Sequence, residues 1–97
     1  MQADQTYLML FEPNRPDFLQ TMTDEERSVM TAHGAHCREL AAQGRVVLLG
    51  VCTDGAYGVL VFRAQSPEES RAFFEADPAV RAGIVTPRLH PFQVAMP

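Results

Sequence analysis

Ninety-seven residues, 46% of them hydrophobic, suffice for one domain spanning 1–97 and carry more apolar surface than one small core hides. A net charge of −4, with eight scattered Lys and Arg, excludes a phosphate-backbone binder, so no nucleic acid partner is expected. No apolar run approaches the ~20 residues of a membrane span and no basic-then-apolar leader opens the chain, which is read as soluble, cytoplasmic and free of membrane contact.

In chain order, "TYLMLF" at Thr6–Phe11 is a run of β-formers, and the prolines of "EPNRPDF" end the strand in a long loop. Thr23, three residues before Glu26, opens a helix with a capping-box pattern, and Gly44 stops it after about five turns, at Asp24–Gln43. "RVVLLGVC" and "VLVF" read as two strands around a turn centred on Asp54-Gly55. "SPEESRAFFEA" repeats the capping logic with Ser66, Pro67 and Glu69. "DPAVRAG" is a turn or helix start, and "RLHPFQVAM" a last strand with Pro91 at an edge or bulge.

The order strand, helix, strand, strand, helix, strand predicts a ferredoxin-like α+β fold, βαββαβ with an antiparallel sheet. Its strands are apolar at consecutive positions, so both sheet faces want cover, while two helices cover only one. The second face is expected against a second copy, giving a homodimer with its sheets packed face to face, a dimeric α+β barrel.

On the long helix, Val29, Met30, Cys37 and Leu40 fall within about 60° of His33 at helical spacing, so His33 points inward from the apolar stripe. An inward imidazole must find a partner or lose its charge. Asp77 stands before Pro78, the residue pair that opens a helix, and is either a cap alone or also that partner. His36 flanks the stripe. His90 in the last strand reads as an edge residue. Arg15, Arg81, His36 and Tyr57 are weaker substrate-binding candidates. His33, His36 and Cys37 have helical metal-ligand spacing but lack a further ligand and support, so no metal is expected. Cys37 and Cys52 show no paired spacing and read as free thiols in a reducing compartment. There is no nucleotide fingerprint, and no cofactor is expected.

The segments "RPDFLQTMTDEE", "AHGAH", "DGAYGVLVF", "ADPAVRAG" and "LHPF", in this order and spacing, resemble the YciI-like (YCII-related) family over nearly the whole chain. The resemblance implies the dimeric ferredoxin-like fold already derived, with an architecture similar to muconolactone isomerase. It also implies a His and Asp acid/base pair, carried here by His33 and Asp77, and lyase-type chemistry on hydroxylated aromatics. Two positions depart from the family pattern: His36 stands where relatives commonly carry an aromatic residue, and Val51-Cys52 replaces the frequent Pro after Gly50. The functional expectation is a cofactor-free lyase, isomerase or hydrolase acting on a small oxygenated molecule, aromatic ones included. In it His33, with a pKa near neutrality, shuttles protons and Asp77 orients it. The alternative is a non-catalytic dimeric module that binds a metabolite or partner, with Asp77 only a cap and His33 only packed.

Overall fold

The computed structural model of the chain describes residues 4–97. Strand β1 (Gln5–Pro13) points Tyr7, Met9 and Phe11 inward, all nearly sealed from solvent, while Leu8 and Leu10 face the other way. It runs past Phe11 because Glu12 and Pro13 pair with Thr86 and Val85. A proline at the last position of a strand interrupts no further ladder. The loop after β1 contains a single helical turn that the sequence pattern does not predict, α1 (Phe18–Thr21). The Asp17 carbonyl accepts the amides of Gln20 and Thr21, and the turn drives the buried Phe18 ring into the core. Burial of such a side chain contributes about 1.5–3 kcal/mol.

Helix α2 (Asp24–Ala42) opens on the full capping box: the Thr23 hydroxyl accepts the Glu26 amide, and the Glu26 carboxylate accepts that of Thr23. Its stop is Gly44 in the left-handed region. Strands β2 (Val46–Val51) and β3 (Gly58–Ala64) form a hairpin, with Gly55 at positive φ in the connecting loop. Helix α3 (Pro67–Glu75) is capped by Ser66, but only half of the expected box forms. The Glu69 carboxylate pairs instead with Arg45. "DPAVRAG" is a distinct short helix, α4 (Pro78–Arg81), with Asp77 as its N-cap.

The last strand differs from its expected span. β4 runs Val85–Pro91, starting before Arg88 and ending well short of Met96. Its start is set by Ile84 and Val85, which are buried in the core, so the chain is already committed to the sheet there. β4 is an edge strand, which is where Pro87 and Pro91 are tolerated.

The sheet order is β2-β3-β1-β4, every pair antiparallel, as a ferredoxin-like α+β fold requires. One face carries the core, in which Met9, Phe11, Leu60 and Phe62 meet Phe18, Leu40 and Ala79. On the other face the register lines up Leu48, Val61, Leu8 and His90 across the four strands, with Gly50, Val59, Leu10 and Arg88 in the next row. Leu48 is 51% exposed there. None of the described helices is long and apolar enough to cross a membrane.

Candidate active site

His33 projects from α2 beside Cys37 and Leu40, which are buried, and Val29 and Met30, which pack against the core. This is the stripe its helical spacing describes. Its side chain keeps 13% of its surface exposed. The Phe11 ring meets the imidazole edge-on, with centroids 4.8 Å apart, and so fixes its plane.

Asp77 reaches the same ring from α4. It is fully buried, and its two oxygens lie 2.7 and 2.9 Å from His33 Nδ1. Oδ1 also accepts the amide of Ala79 at 2.9 Å, the cap that opens α4. The two readings of Asp77 are therefore not exclusive in geometry. One carboxylate caps a helix and grips an imidazole, and the grip keeps a proton on Nδ1. Cys37 Sγ, one turn further along α2, is 3.9 Å from Nε2.

Burial alone pulls the His33 pKa down. Hydrogen bonding to Asp77 and the neighbouring Cys37 sulfur, with the charge of Asp77 behind them, more than offset it and raise the value to about 9. This corrects the expectation of a pKa near neutrality. Inward burial is readable from helical spacing, whereas the strength of the carboxylate contact depends on a residue 44 positions away.

A cavity of about 60 Å³ adjoins His33, walled by Phe11, Phe18, Met30, Tyr57 and Val85, with Leu19, Val51 and Gly55 also on its lining. Leu19 packs over Gly55, where an added Cβ would lie 3.4 Å from its Cδ1. Tyr57 is thus the weaker sequence candidate that the fold brings to the histidine.

The others lie elsewhere. The Arg15 guanidinium binds both Glu26 oxygens at 2.8 and 2.9 Å, the Thr21 hydroxyl and carbonyl, and Asn14, and it stacks over Phe18. It ties the first loop to the start of α2, and the Arg15 hydrogen bond holds the Glu26 carboxyl down at about 2. His36 stacks on Phe73 and joins its Nε2 to the Phe73 carbonyl at 2.9 Å, away from the cavity. Arg81 is in the last turn of α4 and outside the cavity wall. Leu19 and Phe18 are site residues that sequence reasoning misses, because the helical turn that delivers them is masked by the prolines around it.

A family model described as the YCII-related domain matches residues 6–89. No match is found among the curated proteins. Among solved structures, the chain is similar to 5-chloro-2-hydroxyhydroquinone dehydrochlorinase from Burkholderia phenoliruptrix AC1100, solved in complex with 2,5-dihydroxybenzoquinone. The TM-score is 0.66 at 22% identity, over 90% of this chain and 93% of that one, a likeness of fold.

Proposed function

This chain belongs to the YCII-related domain family, and from that premise we propose that it is a small acid–base enzyme acting on a hydroxylated aromatic or quinonoid ring, in a lyase-, isomerase- or hydrolase-type reaction. The observation that carries the reading is the placing of His33 between a sealed carboxylate and an apolar cavity. A histidine that only packed would need neither.

With a pKa of about 9, His33 rests as the imidazolium at neutral pH. It acts first as an acid, giving its Nε2 proton to a carbonyl oxygen or a departing group of the substrate. The neutral ring then takes a proton from a substrate hydroxyl or from water. Asp77 orients the ring and supports its charge. Proton transfer of this kind contributes roughly 10²–10⁴-fold. Tyr57, on the same cavity wall, is assigned the part of orienting a substrate oxygen.

Apart from His33 and Tyr57 the walls are apolar, which suits a flat ring with few polar edges. The Burkholderia enzyme named above carries such a ring in its complex. About 60 Å³ holds roughly two waters, less than a six-membered ring needs, so the cavity has to widen to admit one. The apolar outer face of the sheet fits a homodimer, and the free thiols of Cys37 and Cys52 fit the cytoplasm.

A spectrophotometric screen of hydroxylated and halogenated hydroquinones, with lactones as a second panel, tests the proposal. His33→Gln should retain the fold and lose at least 10²-fold in turnover of any compound found. Unchanged turnover would remove His33 from the chemistry.

A further inference from the structure

We propose that the substrate site runs on from the His33 cavity into an open cleft formed by the loop after β1 and the hairpin loop, and that this outer part selects rings bearing hydroxyl groups over rings bearing a carboxylate. The proposal rests on the acid–base reading of His33 and narrows the substrate class of that same site. The cleft measures about 450 Å³ and is lined by Glu12, Asn14 and Arg15 from the end of β1 and the loop after it, and by Asp54 and Ala56 from the hairpin loop. Pro13, Gly55 and Tyr57 line both the cleft and the His33 cavity, so the two spaces adjoin. The cavity alone is too small for a ring, whereas the cleft has the size of a small-molecule site, roughly 300–1,000 Å³. A ring whose reacting edge meets His33 carries its other substituents into the cleft.

Arg15 is the one basic residue on the cleft wall among the described residues, and would be the natural anchor for an acidic substituent. Its donors are already spent. Nε donates to the Thr21 hydroxyl, Nη1 to Asn14 Oδ1 and one Glu26 oxygen, and Nη2 to the Thr21 carbonyl and the other Glu26 oxygen, all at 2.8 to 3.0 Å. A guanidinium has five N–H donors, and these contacts use them all. A substrate carboxylate could bind Arg15 only by displacing Glu26 or the loop groups that it holds.

The acidic residues of the wall are the opposite case. Asp54 Oδ1 accepts the Ala56 amide at 2.9 Å, which fixes the carboxylate, and its Oδ2 accepts no hydrogen bond among the described residues. Glu12 Oε2 accepts from Arg88 Nε at 2.9 Å, and its Oε1 is open in the same way. Arg88 itself is not on the cleft wall. Carboxylates only accept, so a ring hydroxyl finds partners here, while a ring carboxylate meets like charge without a free cation to balance it. The imidazole at the inner end does not reverse this, because Asp77 already faces it at 2.7 Å.

The test is calorimetric binding of three probes that share one ring, hydroquinone, 2,5-dihydroxybenzoate and its methyl ester, to the full-length chain at neutral pH and low salt. The ester separates the charge of the acid from its size. Hydroquinone and the ester should bind about 10-fold or more tighter than the acid. Glu12→Gln combined with Asp54→Asn should close most of that gap, and both changes keep an oxygen for Arg88 and for the Ala56 amide. Ala56→Phe, at an exposed residue that lines the cleft and not the cavity, should lose affinity for the ester. The acid binding as tightly as the ester, a gap that the double variant does not move, unchanged ester affinity in Ala56→Phe, or no binding of any probe would overturn the proposal. The expected binding preference without turnover of any compound would remove the acid–base reading and leave the cleft's selectivity standing. Turnover that His33→Gln abolishes, with acid and ester processed alike, would do the reverse.

Discussion

The carboxylate of Asp77 lies 2.7 Å from His33 Nδ1 while it caps helix α4 through the Ala79 amide. The cap and the imidazole contact can be separated, because asparagine caps a helix about as well as aspartate but carries no charge. Asp77→Asn should therefore keep α4 and cut turnover of any substrate found by 10² or more. Asp77→Ala should lose about 0.5–2 kcal/mol beyond the asparagine variant, measured by urea unfolding. Equal stability of the two variants would show that the cap contributes nothing.

The same pair sets a pH dependence of stability. Folded His33 holds its proton up to about pH 9, while an unfolded histidine releases it near 6.5. The contribution is complete below about pH 6.5 and is lost as pH rises through about 9, a change of roughly 3 kcal/mol. Glu26 has the opposite sign: its contribution is present above its ordinary range and lost as pH falls toward about 2. Urea midpoints should fall between pH 6 and 9.5 in the parent and change far less in His33→Gln.

Tyr57 borders the His33 cavity and makes no side-chain hydrogen bond among the described residues. Tyr57→Phe should leave the melting temperature within a degree or two and raise KM or lower kcat about 10-fold. An unchanged kcat/KM would leave Tyr57 as wall only.

Leu48 stands half exposed in the apolar row that crosses the outer face of the sheet. If that face is covered by a second copy, Leu48→Glu should turn a dimer into a folded monomer at micromolar concentration, read by light scattering. A parent chain that is already a stable monomer would contradict the dimer.

Much of the frame is legible in the sequence because its signals are local. Thr23 and Glu26, Ser66 and Pro67, and Asp77 and Pro78 each open a helix where the structure begins one, and runs of β-formers mark β1 and β3. The start of β4 and the turn α1 are not legible, since both are decided by Ile84, Val85 and Phe18 finding the core. At the site, helical spacing is enough to turn His33 inward. The occupation of Arg15 by Glu26 and the withdrawal of His36 to the Phe73 carbonyl are contacts between distant segments, which spacing does not encode.

The most direct test of the His33–Asp77 pairing is an NMR titration of the His33 ring in the parent and in Asp77→Asn. The pairing requires a parent value of about 9 and a clear fall in the variant, because burial then acts without the opposing carboxylate. A parent histidine titrating near 6.5, or one whose titration Asp77→Asn does not move, would contradict it.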